Sequence, residues 1–92
     1  MRMELAAMPG VDLIDRGIAD LGRGVESPEA LLVSIGVPRL EPLGLEIPAP
    51  IASAEHRLYE LLASDDADSA HSRYNALLRR LVSFERAAEC AS

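Results

Sequence analysis

The stretch Ser27-Pro28-Glu29-Ala30-Leu31-Leu32-Val33-Ser34-Ile35-Gly36-Val37-Pro38 decides how the chain folds. Serine is a preferred N-cap, proline suits the first helical position, where its missing N–H leaves no bond unmade, and Glu29 sets negative charge against the positive end of the helix dipole. Together these residues predict a helix beginning at Pro28. Its body from Ala30 to Ile35 is apolar on nearly every side, so neighbouring elements must cover it all round. Gly36 offers a left-handed cap and Pro38 blocks continuation, which predicts a stop at Gly36-Val37-Pro38.

On the N-terminal side, Val11, Ile14, Ile18 and Leu21 recur at helical spacing, with Leu13 and Gly17 beside them and Asp12, Asp15, Arg16, Asp20 and Arg23 elsewhere. This is one face of a helix, closed by Gly22 and Gly24. Glycine inside a helix costs up to about 1 kcal/mol relative to alanine, so Gly17 predicts a close helix crossing at that point. Residues 1–9 lack periodicity and read as a flexible tail ahead of a single helical domain over residues 10–90.

On the C-terminal side, residues 38–50 hold four of the six prolines and predict an extended arm, with at most a brief strand at 43–47. Leu40, Leu43, Leu45 and Ile47 are too apolar for a solvated linker, so the arm is expected to pack along the helices. A third helix is expected from Ser53 as cap, with Ala54, Leu58, Leu61 and Leu62 on one face, ending near Ser64-Asp65-Asp66. Asp66 then caps a last helix over 67–89, in which Ala70, Tyr74, Leu77, Leu81, Phe84 and Ala88 fall alternately four and three residues apart. Leu78 and Val82 widen this heptad seam, so the helix can touch two neighbours at once. The expected fold is all-α: a small four-helix domain with a proline-rich extended arm between helices 2 and 3 and a long C-terminal helix. Composition agrees, since Leu and Ala dominate the 49% hydrophobic content and one Phe, two Tyr and no Trp leave little to favour sheet.

Nine basic residues, all arginine, stand against fifteen acidic ones, a net charge of −6 that repels phosphate backbones and anionic membranes. Nucleic acid and membrane are therefore not expected partners. Cys90 is the only cysteine, so no internal disulfide forms and an oxidising compartment is not implied. The apolar stretch before Pro9-Gly10 is broken by Glu4 and is too short for a secretory core, and the expected location is cytoplasmic.

Each candidate for chemistry has a plainer rival. Ser27 to Leu45 resembles a helix-turn-helix, but Pro42 and Gly44 fall inside what would be the reading helix and only Arg39 offers a base contact. Arg73 with Arg80 and Arg79 with Arg86 lie one heptad apart on the last helix and form a basic strip. The plain reading pairs them with Glu85, Glu89 and the acids of other helices. His56 and His71 each precede a tyrosine by three residues, Tyr59 and Tyr74, and Asp68 lies one turn before His71. A metal site needs three or four ligands on one centre, and the plain reading here is a hydrogen bond within the helix. Cys90 has no fixed neighbouring base and no serine stands in a nucleophile elbow.

The sequence thus reads as a small helical protein–protein interaction or dimerisation module more readily than as an enzyme, with neither cofactor nor metal expected. Its expected partners are a second copy and another protein. A last helix of 67–89 is roughly 34 Å long at 1.5 Å per residue, about the diameter of a sphere of this chain's mass. The shorter helices then leave part of its seam bare, and a homodimer through Tyr74, Leu77, Leu81 and Phe84 is expected to cover it. The alternative is an enzyme or a ligand- or metal-binding subunit whose site forms at a dimer interface around His56, Tyr59, Asp68, His71 and Tyr74.

Overall fold

The computed structural model describes residues 8–91, which form four α-helices and no strand. Residues 1–7 of the expected tail lie outside the described residues, and Met8 packs half-buried against the core. The helices are α1 (Val11–Gly22), α2 (Pro28–Leu40), α3 (Ala54–Asp65) and α4 (Ala70–Ala91), with a 3-10 turn at Glu41–Leu43.

The central helix is α2, which touches α1, α3 and α4. Its all-round apolarity is thereby used: Ala30, Leu31, Leu32 and Val33 have no solvent exposure. The start is capped as the sequence requires. Ser27 is extended, and its Oγ accepts a hydrogen bond from the Ala30 N–H at 3.0 Å. The same hydroxyl donates to the buried Asp20 carboxylate at 2.5 Å, and Asp20 also pairs with Arg23. The end of α1 is thus tied to the start of α2. Where the two helices cross, a Cβ on Gly17 would lie 2.4 Å from the Glu29 carbonyl oxygen, the close crossing expected from the sequence.

The end of α2 departs from expectation. The helix does not stop at Gly36-Val37-Pro38 but continues to Leu40 with Pro38 inside, and the 3-10 turn follows directly. Pro38 lies near the end of the helix, where it removes one i→i−4 bond while its ring stays exposed. The added turn carries Leu40 and Leu43 into the core, at 0% and 8% exposure, and that burial favours the extension. Gly36 is occupied as a contact, not as a cap: a Cβ there would lie 2.9 Å from Leu81 Cδ1 of α4.

Residues 45–51 run without helix or strand. Buried Leu45 and Ile47 alternate with exposed Glu46 and Pro48, the side-chain period of an extended chain, and the Ile51 N–H donates to Ser34 Oγ of α2 at 3.0 Å. Ser53 precedes α3, but with φ 55° and ψ 39° its left-handed backbone makes no side-chain cap. Capping by serine depends on an extended backbone that aims Oγ at the first turn, and Ser53 lacks it. The last helix begins at Ala70, three residues later than expected, because residues 67–69 form a turn in which Asp66 Oδ1 accepts from the Asp68 N–H at 3.1 Å. Asp66 closes that turn and does not cap α4.

The molecule is elongated, measuring 38 × 25 × 18 Å, with a longest dimension that accommodates the 22-residue α4. In this shape α3 and α2 both pack on α4. Ala70, Leu81, Phe84 and Ala88 are consequently buried within one chain, and Tyr74 and Leu77 are half-buried.

Candidate functional site

The four seam residues expected at a dimer interface divide by burial. Phe84 is fully buried and Leu81 is 3% exposed, so both are core residues of the single chain, while Tyr74 and Leu77 reach its surface. The expected polar site divides as well. Tyr59 and Tyr74 meet edge to face with ring centroids 5.5 Å apart, and burial together with the Glu55 charge raises the Tyr74 phenol above its ordinary pKa. His56 and His71 are exposed and engaged on their own helices, His56 with Glu60 at 3.4 Å and His71 with Asn75 at 3.2 Å. Asp68 stays in the turn before α4, exposed. No group of three metal-ligating side chains occurs among the described residues.

The basic strip on α4 is split by its partners. Arg73 reaches Asp65 at 2.7 Å and Arg80 reaches Asp12 at 3.4 Å, which accounts for half of the strip as structural pairs. Elsewhere Arg16, Arg23 and Arg57 meet Glu29, Asp20 and Glu26. Among the described residues, Arg39, Arg79 and Arg86 form no salt bridge.

These three arginines surround one concave surface. A groove of about 470 Å³ between the end of α2 and α4 is floored by Ile35, Leu78, Leu81 and Val82 and edged by Arg39 and Arg86. A second hollow of about 410 Å³ along α4 shares Leu78, Val82 and Arg86 with it and adds Arg79. The two form one trough. Leu78 and Val82 are half-buried and lie one turn apart, as their spacing in a helix requires. Within the trough Glu85 is 4% exposed, its carboxylate set against Gly36. Burial pushes the Glu85 carboxyl above the ordinary range, Arg39 pulls it back, and Glu89 raises it further. An open hollow of about 720 Å³ between α1 and residues 44–48 has only exposed acids, Glu41 and Glu46, on its rim. It lacks the buried ionisable group and unpaired cations of the trough.

The trough was only partly visible in the sequence. Leu78 and Val82 widen the heptad seam, and Arg79 and Arg86 share a face, but the contribution of Ile35 and Arg39 depends on α2 running past Pro38.

The two buried acids shift in opposite directions, which predicts opposite mutant behaviour. Asp20 is held below its ordinary pKa, first by the Ser27 hydroxyl and then by Arg23, against the opposing effect of burial. Its stabilisation is present above the ordinary carboxylate pKa and is lost as pH falls through the folded-state value. Glu85, raised in the folded state, stabilises below its ordinary value and loses that contribution as pH rises through the folded-state value. At pH 7, therefore, Asp20→Asn is expected to unfold at lower denaturant than the parent and Glu85→Gln at higher. Both differences are expected to shrink as the pH is lowered through the carboxylate range. Urea titrations at several pH values check the signs, and a Glu85→Gln protein less stable than the parent at pH 7 contradicts the assignment.

Comparison with protein families, with curated proteins and with solved structures returns no match. No helix among the described residues is long and apolar enough to cross a membrane.

Proposed function

We propose that this chain is a helical protein–protein interaction module that receives its partner on the outer face of α4 and the adjoining end of α2. The observation that supports it is the placement of Arg39, Arg79 and Arg86, without salt-bridge partners, around the half-buried Ile35, Leu78 and Val82. Apolar floor inside a polar, charged rim is the anatomy of a contact surface. Covering the floor returns roughly 25 cal/mol for each Å² of apolar area removed from water, and the arginines supply orientation.

A partner other than a second copy fits this face better. Leu81 and Phe84 already fill the chain's own core, so a symmetric contact on α4 has the outer face to use. A two-fold contact there sets three arginines of one copy near the same three of the other, which disfavours self-association. The polar alternative has less to support it, because His56 and His71 are exposed and engaged with Glu60 and Asn75 on their own helices. The proposal includes neither cofactor nor metal, and it includes a cytoplasmic setting, which rests on the lone Cys90.

Two measurements test it. Light scattering after size exclusion is expected to give the 9.9 kDa mass of one chain, and a doubled mass returns the second copy as partner. A photo-crosslinking residue at Val82, introduced in the native cell, is expected to give a discrete adduct with another protein that is absent when the residue replaces exposed Ser72. Equal adducts from both positions, or none from Val82, remove this face as the contact surface.

A further inference from the structure

We infer that the trough on α4 takes an amphipathic helix that carries acidic residues along one flank of its apolar stripe. The inference rests on the reading of this face as a contact surface and specifies the chemistry of the occupant. Its length comes from geometry: the trough follows α4 from Asn75 to Arg86, about 16 Å at 1.5 Å per residue, or three helical turns. Its floor is apolar, with Leu78 and Val82 on α4 beside Ile35 at the end of α2. An apolar groove beside a helix is filled well by the i, i+3, i+7 side chains of another helix.

Charge selects the acidic form. Arg79 and Arg86 share one edge of the trough, one heptad apart, and neither has a salt-bridge partner among the described residues. Two carboxylates one heptad apart on a docked helix meet both guanidinium groups in a single register. On the opposite edge Arg39 stands beside Glu85, the one carboxylate lining the trough, and offsets its charge. A lysine-bearing helix meets unpaired arginines along one whole edge. Phosphate is the other anion that arginines bind, but the floor carries no aromatic ring on which a base can stack.

The test is amide chemical-shift mapping on the isotope-labelled full chain with three probes. They are a helical peptide with leucines at i, i+3 and i+7 flanked by glutamates, its counterpart with lysines in place of the glutamates, and a single-stranded oligothymidine. The glutamate peptide is expected to shift amides of Ile35, Arg39, Leu78 and Val82 and to bind about tenfold more tightly than the lysine peptide at low salt. Added salt is expected to narrow that gap. The Arg79→Glu, Arg86→Glu double variant changes two exposed, unpaired side chains; with its circular dichroism unchanged, it is expected to reverse the preference. Equal binding of the two peptides at the trough overturns the acidic occupant while leaving the contact surface in place. Absence of shifts there with both peptides removes the surface itself, and tighter binding of the oligothymidine replaces a protein partner with nucleic acid.

Discussion

Phe84→Ala is expected to destabilise the protein by about 3 to 5 kcal/mol, with an unfolding midpoint that does not change with protein concentration. Phe84 has no solvent exposure and lies in the same apolar cluster as Ile14, Leu31, Leu58 and Leu62. Removing its ring takes away its burial and leaves a cavity that close-packed neighbours fill only in part. In a domain of this size each kcal/mol moves the Tm by roughly 4 to 8 °C, so the loss is a drop of more than about 12 °C. Concentration independence carries equal weight. Were the ring held at a symmetric interface, the parent Tm would rise with concentration and the variant's deficit would depend on it. Calorimetry over a wide range of concentrations decides between these, and a small, concentration-dependent loss would place Phe84 between chains.

The second large effect comes from adding a single methyl group. Gly17→Ala raises intrinsic helix propensity by about 1 kcal/mol, and on a bare helix it would stabilise. Here the new Cβ falls 2.4 Å from the Glu29 carbonyl oxygen and 2.4 Å from Val33 Cγ2. The valine methyl can turn away, but the carbonyl belongs to the backbone of α2, so α1 and α2 must separate. That separation strains the Asp20–Ser27 hydrogen bond at the joint between them. With overpacking at the upper end of its usual range, about 3 kcal/mol, the net loss is about 2 kcal/mol. Gly22→Ala is the internal control, because its nearest neighbour is Pro48 Cγ at 3.9 Å. It is expected to be neutral or slightly stabilising in urea titration. If both substitutions stabilise, propensity outweighs packing at the α1–α2 crossing.

Much of the architecture was legible in the residues because it follows from interactions within one or two turns. Ser27, Pro28 and Glu29 determine where α2 begins, since a cap, a preset φ and a charge near the dipole act on the first turn alone. The apolar wrap from Ala30 to Val33 requires cover on all sides, which makes α2 central, and a glycine inside α1 requires something pressed against it. Leu40, Leu43, Leu45 and Ile47 are buried because their apolarity demands it, whatever backbone carries them.

What only the tertiary structure decided lies where local signals compete with distant contacts. Gly36 and Pro38 locally end a helix, but Leu81 packs on Gly36 and the core accepts Leu40, so the helix runs on. Ser53 has the chemistry of a cap, but the path of the chain from Ile51, pinned to Ser34, leads into a left-handed residue that cannot use it. On α4 the heptad seam marks an apolar face without saying whose face it meets. That depends on the 38 Å length of the folded chain, which lets α2 and α3 share one long partner and bury Leu81 and Phe84 in a single copy. The trough with its three arginines arises the same way, because periodicity describes one helix at a time whereas a groove is the space between two.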